Sequence, residues 1–195
     1  VIAAMDWAVT NKLQVVNLSL GSSKNPGTAV KTAFDNAEKA GVVIVAAAGN
    51  SGNIAGKGNN IIYPAKYASV IAVGATDSAD KRASFSSTGS ELEIMAPGVS
   101  VLSTWNDSTS YSNPQPICID SACYYKYGSG TSMASPHVAG VAALVITKGV
   151  IDANGNGRTN DEVRQKMNST AQDLGVVGRD TQYGYGLVNA VVATQ

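Results

Sequence analysis

The chain has 195 residues, of which 44% are hydrophobic and 14% are charged. It is therefore long and apolar enough to form a domain with its own core, which excludes an intrinsically disordered chain. Acidic and basic residues balance at 14 each, and the longest apolar run, 138–146, is too short to span a bilayer. We expect neither a nucleic-acid partner nor a membrane partner.

The first third of the chain alternates between helical and extended patterns. The opening residues, VIAAMDWAV, have the composition of a helix interior and no capping residue ahead of them, so we expect the chain to begin within a helix. Residues 13–20, LQVVNLSL, predict a strand that ends at Gly21. After a turn-rich stretch, residues 28–40 carry apolar side chains at helical spacing and are closed by Gly41.

The middle of the chain predicts further strands. Residues 42–48, VVIVAAA, form a continuous apolar run of strand length, which is typical of a strand covered on both faces. The segment VIAVGA (70–75) repeats this pattern, and LEIMAP (92–97) and VSVLST (99–104) predict shorter strands. Alternation of helices and strands predicts an α/β fold, with a mainly parallel sheet and helices on both faces.

A serine lies between a glycine-rich turn and an apolar run in YGSGTSMASPHVAG, residues 127–140. The run 138–146 is apolar nearly all round, which predicts a helix buried inside the domain. Ser132 would then lie at the helix N-terminus, where unpaired backbone N–H groups can stabilise developing negative charge. The alternative is that Ser132 or Thr131 acts only as the helix N-cap, a frequent role for serine and threonine.

Two cysteines, Cys118 and Cys123, lie close together in the segment CIDSAC. They predict a short-loop disulfide of the kind found in secreted proteins, and two free thiols are the alternative. Since no histidine is near, they would make only half of a zinc site.

The segment 152–162, DANGNGRTNDE, partly matches a calcium-binding loop. Its candidate ligands are Asp152, Asn154, Asn156, Asp161 and Glu162. The first three fall at positions 1, 3 and 5 of the EF-hand template, but the template requires glutamate at position 12, where this chain has Val163. The loop is therefore not an EF-hand, although its oxygen atoms can still bind a hard cation. The alternative is a solvated turn followed by a capped helix.

The segment GTSMASPHVAG, 130–140, resembles the nucleophile motif of the subtilisin family of serine proteases. Further segments resemble the family in the family's order: NLSLG (17–21), AAAGNSGN (46–53), YPAKYASVIAVGA (63–75), RASFSSTGSELEIMAPGVSVLST (82–104) and YGYGLVNA (183–190). The resemblance covers nearly the whole chain apart from 105–126 and 149–158. It implies a subtilisin-like fold and a secreted, extracellular endopeptidase.

The resemblance implies a role for each matching residue. Ser132 becomes the nucleophile, and Asn50 becomes the side chain that binds the oxyanion together with the Ser132 N–H, whereas the local pattern alone makes Asn50 a turn residue. The implied substrate-binding residues are Ser19, Leu20, Gly21, Ala47, Ala48, Gly49, Ile62 and Thr131. Of these, Ile62 is expected at the floor of the specificity pocket, which it would make shallower, and an ordinary core position is the alternative.

The resemblance also implies partners and a second cation site. The partners are an extended peptide or protein substrate and a propeptide or protein inhibitor. The second site would use the backbone carbonyls of Ala65, Tyr67 and Val70 with a carboxylate such as Glu93. Calcium, in a structural role, is the cofactor expected for both sites.

A base for Ser132 is missing from the sequence. His137 is the only histidine. Five residues along a helix turn a side chain by about 500°, so His137 cannot share a proton with Ser132, and the resemblance makes it structural. The family's aspartate and histidine precede the serine in chain order, and neither motif occurs. We expect residues 1–195 to form a single, partial catalytic domain, completed by a missing N-terminal segment or companion chain and inactive alone.

Two other classes of function remain as alternatives. One is a catalytically inactive module that binds peptides or a propeptide without cleaving them. The other is a nucleotide-binding domain that uses AAAGNSGN (46–53) as its glycine loop, but this loop lacks both the G-x-G-x-x-G spacing and a following lysine.

Overall fold

The computed structural model describes residues 1–105, 117–119 and 122–195. The helices are α1 (Ile2–Thr10), α2 (Thr28–Lys39), α3 (Thr131–Thr147), α4 (Asn160–Ser169) and α5 (Ala190–Ala193). The strands are β1 (Val15–Leu18), β2 (Val43–Ala47), β3 (Ile71–Thr76), β4 (Leu92–Pro97), β5 (Val101–Thr104), β6 (Ile117–Ile119) and β7 (Ala122–Gly128).

The central sheet contains four parallel strands in the order β1–β2–β3–β4. Strand β2 is buried at every position, as its continuous apolar run predicts, because both faces of the sheet are covered. Within the described part of the chain β1 pairs only with β2, and its residue Asn17 is exposed. The predicted α/β fold is confirmed.

Two hydrophobic clusters lie on opposite faces of this sheet. Ile44 of β2 packs in the cluster that includes Phe34 of α2. Val45, the next residue of β2, packs in the cluster that includes Val138 of α3 and Met167 of α4. Because successive side chains of a strand point to opposite faces, β2 supplies both clusters, and the sheet is enclosed by helices on both sides.

Helix α3 differs in one respect from its sequence prediction. It packs Val138, Val141 and Val145 against the sheet side, but Leu144 on its other side is 51% exposed. The expectation that α3 is buried all round is therefore wrong for this face, because apolar composition alone does not show what covers each side of a helix. Among the described residues, no helix is both long and apolar enough to cross a membrane.

A second, antiparallel sheet has the order β5–β7–β6. It lies partly in the stretch 105–126 that does not resemble the family. The side chains of Cys118 and Cys123 lie outside the described residues, so the disulfide between them stays a prediction.

The carboxyl ends of β1 and β2 lie at the same edge of the sheet because the two strands are parallel. Residues 19–21 follow β1, and residues 48–50 follow β2. In open α/β sheets this edge is where ligands bind. The N-terminus of α3 meets both segments there, as the contacts below show.

Candidate active site

Ser132 is the second residue of α3. The helix has Gly130 as its N-cap residue, so the alternative that Thr131 or Ser132 acts as the N-cap is wrong. The Ser132 hydroxyl donates to the carbonyl of Ser19 at 3.2 Å. The serine motif and the end of β1, which are 113 residues apart in sequence, are thus in direct contact.

Asn50 is held by the residue that precedes Ser132. Its Oδ1 accepts hydrogen bonds from the amide and from the hydroxyl of Thr131, each at 3.0 Å. The Thr131 hydroxyl in turn accepts from the backbone N–H of Gly49 at 3.1 Å. With Oδ1 occupied by two donors, the orientation of the Asn50 amide is fixed, and its NH₂ group lies on the opposite side, next to Gly130.

The first turn of α3 has one backbone amide, that of Ser132, for which the described residues provide no hydrogen-bond partner. The Thr131 N–H goes to Asn50, while the N–H groups of Met133 and Ala134 both donate to the carbonyl of Gly130. Among the hydrogen bonds between described residues, none uses the Ser132 N–H or the Asn50 NH₂ group. Two unpaired donors beside a serine hydroxyl can stabilise an oxyanion during acyl transfer.

The predicted pocket residues are close together. Ile62 donates its backbone N–H to the carbonyl of Ala48 at 3.0 Å. A Cβ added to Gly21 would lie 2.5 Å from the Ile62 Cδ1, and one added to Gly49 would lie 3.0 Å from its Cγ2. The half-buried Ile62 side chain therefore packs against both glycines. Ala47 and Ala48, which precede Gly49 in the sequence, are buried. The following Tyr63–Pro64 peptide is cis.

An apolar cavity of about 230 Å³ adjoins the end of β1. Its lining includes Leu20, Gly21, Pro26, Val30, Phe34 and Tyr63. Leu20 is 54% exposed, so its side chain is available to a ligand. The cavity is large enough for an apolar side chain of a peptide that runs along residues 19–21.

The hydrogen bonds of His137 and Ser132 go to different partners. Its ring Nδ1 forms a hydrogen bond of 2.9 Å with the carbonyl of Met133, one turn back along α3. The ring of the only histidine in the sequence is therefore engaged with its own helix.

The carboxylates of the Asp152–Glu162 loop hold its backbone. Asp152 accepts from the N–H groups of Gly155, Asn156 and Gly157, and Glu162 Oε1 accepts from those of Ala153 and Asn154. Asp161 Oδ2 accepts from the side-chain amides of Asn154 and Asn156 at 2.6 and 2.8 Å. All five candidate ligands thus meet in one small region.

Two oxygen atoms of this loop have no hydrogen-bond partner among the described residues. Asp161 Oδ1 and Glu162 Oε2 are buried and have no hydrogen bond among the described residues. Burial acts to raise the pKa of Asp161, but hydrogen bonds, led by that from Asn154, lower it overall, so the carboxylate is charged at neutral pH. Burying these oxygen atoms without a partner costs free energy, which a cation would relieve. Among the described residues, however, no group of three or more histidine, cysteine, aspartate or glutamate side chains is arranged to hold a metal ion.

The second predicted cation site already holds a positive charge. The Arg164 guanidinium donates to both carboxylate oxygens of Glu93 and to the carbonyl of Val70. Burial acts to lower the pKa of Arg164, but the contacts with Glu93 raise it overall. A cation at the carbonyls of Ala65, Tyr67 and Val70 would lie beside this fixed charge, which disfavours the site.

Comparisons with known proteins identify the family of this chain. The Subtilase family model matches residues 1–186. Subtilisin DY from Bacillus licheniformis is 47% identical over 196 aligned residues, which cover 100% of this chain and 62% of the relative. Subtilisin E from Bacillus subtilis (strain 168) is 44% identical over 195 residues, covering 100% of this chain and 44% of the relative.

Among solved structures, a lanthipeptide protease superposes with a TM-score of 0.81 at 30% identity, over 99% of this chain and 64% of the other. The chain belongs to the subtilase family, which confirms the resemblance found in the sequence. It spans less than two thirds of the length of each of these relatives.

Proposed function

We propose that this chain is the serine-bearing part of a secreted, subtilisin-like serine endopeptidase. Ser132 attacks the carbonyl of a peptide bond, the Ser132 N–H and the Asn50 side chain stabilise the oxyanion, and water then hydrolyses the acyl-enzyme. The proposal is carried by one observation: two hydrogen bonds of 3.0 Å from Thr131 orient the Asn50 amide beside the nucleophile.

The base and its orienting aspartate come from polypeptide outside these 195 residues. A serine without a base is a weak nucleophile at neutral pH, and His137, the only histidine, bonds to Met133 instead. A companion N-terminal segment would supply both groups, and the 195 residues alone have no peptidase activity.

The substrate is an extended peptide or protein. It pairs through its main chain with residues 19–21, and its side chains occupy the Leu20 cavity and the pocket beside Ile62 and Gly49. A propeptide or protein inhibitor would bind along the same edge. Main-chain pairing does not depend on the side chains of the substrate. Selectivity therefore comes from the shapes of the cavity at Leu20 and of the pocket beside Ile62 and Gly49.

A catalytically inactive module that binds a peptide or propeptide is the second candidate. It is supported by the position of His137, whose ring bonds to the Met133 carbonyl of its own helix. Both candidates share the peptide-binding edge and differ only in whether Ser132 is activated.

Calcium is the proposed cofactor, in a structural role. The residues that would hold it are Asp152, Asn154, Asn156, Asp161 and Glu162. The buried, unpartnered oxygen atoms of Asp161 and Glu162 support this assignment. A bound calcium ion would neutralise the carboxylates and tie the loop to the first turn of α4.

Labelling with a serine-directed phosphonyl fluoride tests the activity. The protein as isolated from its source is treated, and an intact mass then shows whether an N-terminal segment accompanies residues 1–195. We expect one label on Ser132 and none in a Ser132→Ala variant, and we expect the 195 residues alone to cleave no chromogenic peptide. A complete protein that binds peptides but takes no label would be the inactive module.

A further inference from the structure

The carbonyl of Ser132 lacks its normal helical partner. In an α-helix the carbonyl of one residue accepts the N–H of the residue four positions later. Four positions after Ser132 is Pro136, which lies inside α3 and has no N–H. The helix nevertheless continues to Thr147, so another donor must satisfy this carbonyl.

That donor is the side chain of Ser19. Its hydroxyl donates to the Ser132 carbonyl at 2.7 Å, across 113 residues of sequence. The same oxygen lies 3.0 Å from the hydroxyl of Ser135 and 3.1 Å from the side-chain amide of Asn17. A serine hydroxyl has one proton to donate and two lone pairs. Since its proton goes to Ser132, both Ser135 and Asn17 must donate to it, and its hydrogen-bonding capacity is fully used.

We propose that the Ser19 hydroxyl is a positioning group that replaces the helical hydrogen bond removed by Pro136 and so fixes the nucleophile's peptide unit on the end of β1. This inference rests on the proposed function, since it concerns the same Ser132. It assigns the Ser19 side chain a task separate from the peptide pairing attributed to its main chain.

The contacts around Ser132 show why this bond controls position. The Ser19 hydroxyl holds the Ser132 carbonyl, and the Ser19 carbonyl accepts from the Ser132 hydroxyl at 3.2 Å. On the preceding side, Asn50 accepts from the amide of Thr131 at 3.0 Å. The nucleophile is therefore fixed between β1 and the segment that follows β2. A displacement of about 1 Å in such a site can lower a rate by about 100-fold.

Loss of the Ser19 hydroxyl would also leave a buried hydroxyl group unsatisfied. Ser135 is fully buried, and its hydroxyl would lose the acceptor provided by Ser19. The Ser132 carbonyl would lose its donor without any replacement from Pro136. An unsatisfied buried polar group is costly, so the first turn of α3 would shift to reach other partners.

A double-mutant cycle tests whether the Ser19 hydroxyl replaces the helical hydrogen bond that Pro136 cannot donate to the Ser132 carbonyl. The variants are Ser19→Ala, Pro136→Ala and the two combined, made in the full-length protein. The readouts are the rate constant for phosphonylation of Ser132, kcat and KM for a chromogenic peptide, and the melting temperature. Pro136→Ala returns an N–H to the position from which a helical bond to the Ser132 carbonyl forms.

We expect Ser19→Ala to lower the phosphonylation rate and kcat by about 10- to 100-fold, with KM changed less than about threefold. The melting temperature should fall by about 2–4 °C. Compared with Ser19→Ala alone, the double variant with Pro136→Ala should regain at least about half of the decrease in melting temperature. Its phosphonylation rate should be about tenfold higher, because the Ser132 carbonyl then has a donor again. Effects of the two changes that simply add would overturn the proposal.

Two further variants keep the test decisive. Ser23→Ala, in the exposed loop after β1, is the matched control and should change none of these readouts. If Pro136→Ala does not fold, Ser19→Thr takes its place, because it keeps the hydroxyl and should retain the rate within about threefold. A Ser19→Thr protein as impaired as Ser19→Ala would overturn the proposal.

Failure of the proposed function looks different. In that case the unmutated full-length protein takes no label at Ser132. The melting temperatures of the cycle would still show coupling between Ser19 and Pro136.

Discussion

Asn50 receives two hydrogen bonds from a single residue, because both the amide and the hydroxyl of Thr131 lie 3.0 Å from its Oδ1. The Thr131 hydroxyl is itself held by the Gly49 N–H, next to Asn50 in the chain. The asparagine is thus oriented before any substrate binds. Preorganised donors of this kind need no rearrangement when charge develops on the substrate.

Replacement of Asn50 tests this arrangement. In the full-length protein, Asn50→Ala should lower kcat by about 10²–10³-fold with little change in KM, the size of effect known for the oxyanion asparagine of subtilisin. Steady-state kinetics on a chromogenic peptide measures both constants. Asn11→Ala, on the exposed end of α1, is the control and should match the unmutated protein. A kcat for Asn50→Ala within about threefold of normal would remove this residue from the oxyanion site.

Ile62 should set the depth of the specificity pocket. Its side chain packs against Gly21 and Gly49, so Ile62→Gly opens the space between them. We expect kcat/KM for a peptide with phenylalanine at the cleaved position, relative to alanine, to rise by about tenfold or more. Ile54→Gly is a matched control, since Ile54 is 91% exposed and should not alter the ratio. An unchanged ratio in Ile62→Gly would make this residue part of the core only.

His137 should be dispensable for the chemistry. Because its Nδ1 bonds to the Met133 carbonyl, His137→Gln removes a contact within α3 and no proton acceptor for Ser132. We expect kcat in the full-length protein to stay within about threefold, whereas Ser132→Ala should abolish it. The dependence of kcat/KM on pH should be the same in His137→Gln as in the unmutated protein. A loss of several orders of magnitude in His137→Gln would mean that the base lies on α3 after all.

The pair formed by Glu93 and Arg164 should matter for stability. The Glu93 side chain is 5% exposed and binds the Arg164 guanidinium and the Asn168 amide. In Glu93→Gln the arginine remains charged and loses its partner, which should lower the free energy of unfolding by about 3–5 kcal/mol. Urea denaturation measures this loss. Glu91→Gln is the control, because among the described residues the Glu91 carboxylate accepts a hydrogen bond only from the Ser90 hydroxyl, at an exposed position, and the change should cost less than about 1 kcal/mol.

Calcium should stabilise the protein through the Asp152–Glu162 loop. A calcium concentration 100-fold above the dissociation constant adds about 2.7 kcal/mol, so a chelator should lower the melting temperature by about 5–10 °C. Asp161→Asn should abolish this response. Asp77→Asn changes a carboxylate that closes another turn and should leave the response intact. A melting temperature that is the same with and without chelator would exclude the site.

Elements with a clear hydrophobic period could be predicted from the sequence. Strand β2 is a fully buried apolar run, and α2 places Ala33, Phe34 and Ala37 on its buried face. Both patterns are local, so the residues themselves carry the information. The exposure of Leu144 could not be predicted, because it depends on which elements lie beside α3.

The finer contacts of the site depend on the tertiary structure. The family resemblance pointed to Ser132 and Asn50, but nothing near Ser19 in the sequence indicates that its hydroxyl donates to a carbonyl 113 residues away. The signal was present in Pro136, since a proline inside a predicted helix leaves one carbonyl without a donor. Only the fold shows which side chain fills that place.

Strand β1 has a neighbour on only one side in the described chain. Its other edge pairs with no strand of the described residues, and the backbone N–H and C=O groups of such an edge can pair with an added strand whatever its side chains. Strand β1, which brings Ser19 to the nucleophile, is therefore also an edge strand of the described sheet. A strand that pairs with this edge, from a companion segment or from a second copy of the chain, would lie next to β1 and so next to the strand that leads to Ser19.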